Sequence, residues 1–193
     1  LLDDKRRSAT ETMIAALDSA RYERLVVRFA ALLRRGPLRG SVTSRTPILI
    51  SGPDVVSRRH RQFRKAGLGL STESPPEAFH TLRIRAKRLR YALEFTEPVY
   101  GERARALIKR LETLQDLLGE HQDAQVAMQH LGSLVDEHGP ELEPRVVFAM
   151  GRVAERYEVR ADELRRRFDD VYSPVRRRWR RLRRGNRASR GDS

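Results

Sequence analysis

The chain has 193 residues and carries 40 Lys and Arg against 26 Asp and Glu, a net charge of +14 at pH 7. That length suggests one domain, or two very small ones, and an apolar content of 39% suffices for a core and argues against wholesale disorder. The lack of cysteine removes disulfide scaffolds, cysteine zinc sites and thiol nucleophiles. No apolar run approaches a membrane span and none opens the chain as a signal segment, so a cytoplasmic location without a membrane partner is expected. The chain opens Leu1-Leu2-Asp3 rather than with methionine, and residues upstream are expected to have been lost or trimmed.

Helical periodicity dominates from the start. Residues 5–17 and 19–35 read as two helices, the second with Leu25, Phe29, Leu32 and Leu33 in an apolar stripe. Gly36-Pro37 stops it. The Pro- and Gly-containing stretch 36–53 reads as a linker, and Ile48-Leu49-Ile50 within it as a loop segment, because a lone strand has no partner. Asp54 is placed as the cap of a helix running to Ala66, which Gly67-Leu68-Gly69 ends. Ser74-Pro75-Pro76-Glu77 fits a capping box, opening a helix to about Glu97. A helix over 102–118 follows, then a break at Gly119. The next helix, over 120–138, is expected to bury Ala124, Ala127, Met128, Leu131 and Val135. A last long helix covers 144–172, and Ser173-Pro174 interrupts it. Short connections predict antiparallel neighbours and an all-α bundle architecture.

The charge is unevenly spread. The segment 174–193 holds nine Arg and one Asp, leaving only +6 for the rest. A solvated helix end or a disordered arm is the plain reading of that run, and a nucleic-acid or acidic-polymer arm the sharper one. Only Lys5, Lys65, Lys87 and Lys109 are lysine. Arginine's planar fork suits phosphate oxygens, although a compositional bias explains the same excess.

The helix opened by Glu77 is distinctive. At about 100° per residue, His80, Arg83, Lys87, Arg90 and Tyr91 fall on one arc, beside a separate apolar stripe of Leu82, Ala86, Leu89 and Leu93. Arg85 and Arg88 lie off the arc. Like charges so close repel unless an anion or carboxylates compensate them. A solvated or acid-paired face competes with a polyanion site of regularly spaced charge.

The stretch from His80 to Phe95, patterned H-x-L-R-I-x-x-K-R-L-R-Y-x-x-E, resembles the signature helix of the CHAD family, the histidine-headed α-helical domains. Leu114 to Asp123, patterned L-Q-x-x-L-G-x-x-x-D, resembles that family's second signature. The resemblance implies an all-α fold of two related four-helix bundles about a pseudo-twofold axis. Their basic helices would line a groove or pore that binds inorganic polyphosphate, and some members sit on polyphosphate granules. On that pattern residues 1–35 are the closing helices of a first repeat, 36–53 the linker, 54–184 the second repeat and 185–193 a disordered tail. The first repeat's own signature helix would lie upstream, making the pseudo-symmetric pair incomplete at its N-terminal side.

The resemblance and the residues together predict non-catalytic polyphosphate binding, with no cofactor and no metal. Arg83, Lys87 and Arg90 would meet successive phosphates by charge-assisted hydrogen bonds. His80 would donate through a ring nitrogen. Tyr91 would donate its hydroxyl, with a core role the alternative. Arg88 would serve the neighbouring edge, and Arg58, Arg61 and Lys65 would extend the strip or form a solvated face. Asp123 is read as a structural acid near a helix start. His121, His130 and His138 do not share a helix face, which argues against a zinc site. The rival classes are a polyphosphate-processing enzyme, for which no P-loop or metal-spaced carboxylate pair appears, and a nucleic-acid-binding protein that grips a strand with the Arg-rich tail and Trp179. A bare helical scaffold is a third.

Overall fold

A computed structural model describes residues 2–36 and 46–188, and the regular structure among them is entirely helical. The chain divides into two compact units, Leu1–Thr46 and Pro47–Ser193.

The first unit is a hairpin of α1 (Leu2–Leu17) and α2 (Ala20–Arg35). Ser19 caps α2, its hydroxyl accepting from the Tyr22 amide at 3.3 Å, and Gly36 closes it at φ 66°, where a side chain would be strained. The apolar stripe of α2 is present, yet Leu25, Phe29, Leu32 and Leu33 are all more than half exposed. Two helices alone cannot enclose such a face.

The second unit contains α3 (Ile48–Gly67), α4 (Pro76–Phe95), the single turn α5 (Glu97–Tyr100), α6 (Glu102–His138), a 3-10 turn (Gly139–Glu141), α7 (Pro144–Arg166) and α8 (Phe168–Ala188). Helix α6 is its central element, packed on α4, α7 and α8. Val56 and Phe63 of α3, five residues of α4, Leu107, Leu111, Leu114 and Leu118 of α6, Leu164 of α7 and an α8 row make one continuous core.

Several sequence expectations are corrected. Helix α3 begins at Ile48, not Asp54, so 48–53 is helix rather than linker or loop. Pro53 sits within it, buried, at the sixth helical residue, where it has no amide to donate to the Leu49 carbonyl one turn back. Gly52 brings α3 against Thr96, whose methyl lies 2.9 Å from where a Cβ would stand. Pro75, extended at φ −65° and ψ 150°, takes the cap position of α4. The Ser74 hydroxyl is already committed, accepting from the Ser71 amide at 3.0 Å, so the capping box does not form.

Gly119 does not interrupt the chain either; α6 runs 37 residues through it. Asp123 is therefore exposed in mid-helix, where the macrodipole of a helix start does not act. Of the residues expected to be buried beyond Gly119, Ala124 is, together with Leu134; Ala127, Met128, Leu131 and Val135 are half-buried.

The long last helix breaks at Arg167 rather than at Ser173-Pro174, and Pro174 lies inside α8. As far as Ala188, the basic segment is thus helix rather than a free arm. Tyr172, Val175, Trp179 and Leu182 recur at three and four residues and are buried, the signature of an amphipathic helix. Trp179 stacks on His60, ring centroids 3.7 Å apart and 8° from parallel. Tyr172 presses on α3 so closely that a Cβ at Gly67 would lie 2.3 Å from its hydroxyl. Residues 185–188, assigned to a disordered tail, continue α8; 189–193 lie outside the described residues.

Candidate phosphate-binding seam

The apolar stripe of α4 fixes how the helix is turned. Phe79, Leu82, Ala86, Leu89 and Leu93 are all buried. With these pointing inward, Arg83 and Arg90 must emerge on the flank of the stripe, and His80 and Lys87 slightly farther out. Helix α6 lies along that flank, antiparallel. Its Glu112, Gln115, Gly119 and Gln122, spaced by three and four, meet Arg90, Arg83 and His80 in reverse order.

At the N-terminal end of the seam, His80 Nδ1 lies 2.8 Å from Gln122 Oε1. An amide oxygen only accepts, so Nδ1 carries the proton and Nε2 is the ring's other polar atom. One turn on, Arg83 lies over Gly119; a Cβ there would be 3.8 Å from its Nε. Arg83 and Lys87 are half-buried. Among the described residues, no carboxylate or other acceptor pairs with either, and Arg83 Nε is buried without a partner.

The C-terminal end differs. Arg90 donates to Glu94 Oε1 at 2.8 Å and through Nε to Gln115 Oε1 at 3.1 Å, and Glu112 lies 3.5 Å away. One row member is therefore already neutralised by carboxylates. Tyr91 is 52% exposed, not a core residue; the Arg90 guanidinium lies 4.9 Å from its ring centroid. Arg88 is exposed, off the row and without an ion pair among the described residues. Arg58, Arg61 and Lys65 are exposed on the side of α3 turned away from Val56, Phe63 and Gly67. Among the described residues, no hydrogen bond or ion pair gathers them with the α4 row.

A second polar group lies deeper. His121 is 1% exposed, against Phe79. Its Nε2 accepts from Arg165 Nε at 3.1 Å, and Arg165 also reaches the Thr72 carbonyl at 3.0 Å. Burial, and then the Arg165 charge, push the imidazole down to about 4, with Asp162 opposing. His121 is thus a neutral acceptor that ties α6 to α7. Among the described residues, no group of three or more His, Asp or Glu is placed to hold a metal ion.

Glu112, Gln115, Gly119 and Gln122 took no part in the site read from sequence. The signal was available for two of them, since Gln115 and Gly119 stand in the second signature. What the seam offers chemically is donation: among the described residues, two cations without carboxylates and buried N–H groups, suited to anionic oxygens.

The fold and this seam define an all-helical domain with a basic flank on a histidine-headed helix. The CHAD domain family profile matches residues 1–132, and the chain belongs to that family, for which polyphosphate binding is a general property. The match ends within α6, before α7 and α8. The chain is also similar to two curated proteins of Mycobacterium tuberculosis, "Uncharacterized protein MT2285" of strain CDC 1551 / Oshkosh and "Uncharacterized protein Rv2226" of strain ATCC 25618 / H37Rv. Each is 33% identical over 141 residues, which is 68% of this chain. The chain spans about a quarter of the length of these relatives, 25% in each case. No solved structure matches it. No described helix is long and apolar enough to cross a membrane.

Proposed function

We propose that the chain binds inorganic polyphosphate without cleaving it, along the α4 edge of the α4–α6 seam. Arg83 and Lys87 are the principal contacts, His80 and Tyr91 flank them, and Arg88 serves the outer edge. Arg90 closes the row rather than sharing in it equally, because Glu94 and Glu112 already hold its charge. Arg58, Arg61 and Lys65 act, if polyphosphate is long enough, as a diffuse outer field.

The observation that carries this reading is the pair of half-buried cations left without carboxylates where α6 presents Gly119 and no side chain. Holding two like charges one turn apart is unfavourable unless an anion joins them. The charge-reversing double variant Arg83→Glu with Lys87→Glu tests it. Binding to polyphosphate, followed by fluorescence anisotropy or calorimetry, should be lost while helix content is kept; wild-type affinity would overturn the assignment. Incubation with polyphosphate and Mg²⁺ should release no phosphate, and release would make the domain an enzyme.

The nucleic-acid alternative loses its best aromatic, since Trp179 is 6% exposed and stacked within the bundle. Competition at equal phosphate concentration separates the two: DNA should displace polyphosphate poorly. Granule association and a cytoplasmic site of action follow from this reading and belong to it.

A further inference from the structure

Gln115 is nine-tenths buried, with 9% of its surface exposed, and its amide is used on one side only. Its Oε1 accepts from Arg90 Nε at 3.1 Å. That assignment is chemically forced, because a guanidinium N–H needs an acceptor and an amide NH₂ is not one. Arg90 is itself held by Glu94 at 2.8 Å and Glu112 at 3.5 Å. The carboxylates fix the guanidinium, the guanidinium fixes the amide, and the NH₂ is left on the opposite side. Nε2 is buried with no hydrogen-bond partner among the described residues.

A donor left so costs free energy, and such groups in native proteins ask for an explanation. The seam contains a second one. Arg83 Nε is also buried without a partner, over Gly119, four residues or about 6 Å along α6 from Gln115. Between them, by the antiparallel register, lies Lys87. Both orphans are donors, and both lie on the flank that carries Arg83 and Lys87, which have no carboxylate partner among the described residues. The acceptor that suits them is an anionic oxygen.

We infer that Gln115 is a neutral ligand of the bound phosphate chain, its NH₂ donating to a phosphoryl oxygen and its orientation set by Arg90. This rests on the polyphosphate reading above and adds to it a residue from the second helix. Glu94, Glu112 and Arg90 then serve as a positioning relay. Admission of the anion requires Arg83 and Lys87 to shift outward, which breaks no ion pair among the described residues.

A neutral donor leaves a distinctive trace. Cations that neutralise phosphates release counterions and set the slope of log affinity against log salt; an amide does not. Polyphosphate affinity is therefore measured across a salt series for wild type, Lys87→Ala, Gln115→Met and Gln115→Glu, with helix content checked by circular dichroism. Lys87→Ala should weaken binding and lower the slope by about one. Gln115→Met should weaken binding about tenfold with an unchanged slope. Gln115→Glu keeps an acceptor for Arg90 but loses the donor, and should bind at least as poorly as Gln115→Met. Wild-type affinity in Gln115→Met overturns the inference while the Lys87 result leaves the polyphosphate reading standing; an ordered water on the amide would give this outcome. Wild-type affinity in Gln115→Glu also overturns it, since Gln115 would then serve only to hold Arg90. If wild type itself fails to bind, or Lys87→Ala changes nothing, the underlying reading fails first.

Discussion

The two ends of the basic row on α4 share a helix, a register and a residue type, yet differ in electrostatic state. Arg83 meets Gly119 of α6 and, like Lys87, has no carboxylate partner among the described residues. Arg90, two turns farther, meets Glu112 and Gln115 and is also held by its own neighbour Glu94. The lesson is that a cationic stripe on one helix does not define a binding surface. The opposing helix decides which of its charges remain available.

The most drastic test removes the frame that both ends share. Deleting residues 174–193 looks harmless if they form a solvated arm. Because Val175, Trp179 and Leu182 are core residues, and each such loss costs about 2–5 kcal/mol, truncation should consume most of a typical domain's stability. A thermal melt by circular dichroism should lose its cooperative transition; an unchanged melt would return these residues to the status of a tail. Next in size is the comparison itself. Reversing Arg83 and Lys87 should cost more than a hundredfold in polyphosphate affinity, roughly two charge-assisted hydrogen bonds, whereas Arg90→Gln should cost clearly less. Equal losses would erase the distinction between the ends.

A third experiment probes the joint beneath the seam by pH. The neutral His121 ring is held down to about 4, against an ordinary 6.5. The unfolded chain therefore binds that proton more readily, so the contribution is complete above pH 6.5 and is lost as pH falls toward 4. Up to about 3 kcal/mol is at stake. In His121→Gln, whose amide oxygen still accepts from Arg165 but does not titrate, denaturant midpoints should vary less over this window. Parallel profiles for the two proteins would contradict the assignment. The smallest expected effect sharpens the C-terminal end: Glu112→Gln should loosen Arg90 and tighten polyphosphate binding about two- to fivefold, the scale of a partly exposed ion pair. Weaker binding would mean that Glu112 serves only to hold the fold.

How much of this was legible beforehand depends on where the determining contacts lie. The turn of α4 was readable, because Leu82, Ala86, Leu89 and Leu93 announce the buried stripe and so place the charged residues beside it. The family was readable from two local patterns. The neutralisation of Arg90 was not, since periodicity tells which side of a helix is apolar but not which helix lies beside it, and Glu112 is 22 residues away. Helix punctuation misled where tertiary packing overrode propensity: Pro53 and Pro174 sit inside helices, and Gly119 within one. In α8 the abundance of arginine masked a regular apolar period of only four residues, Tyr172, Val175, Trp179 and Leu182.

The unbroken run of α6 through Gly119 has a geometric corollary. Because Glu112, Gln115, Gly119 and Gln122 are graduations on one rigid rod, their alignment with α4 behaves like a screw thread. Adding or removing a single residue between Gln115 and Gly119 would rotate everything beyond it by about 100°, swinging the bare notch away from Arg83 and driving a side chain into its place. Sequence drift can therefore change the letters on this rod with some freedom, but not its count.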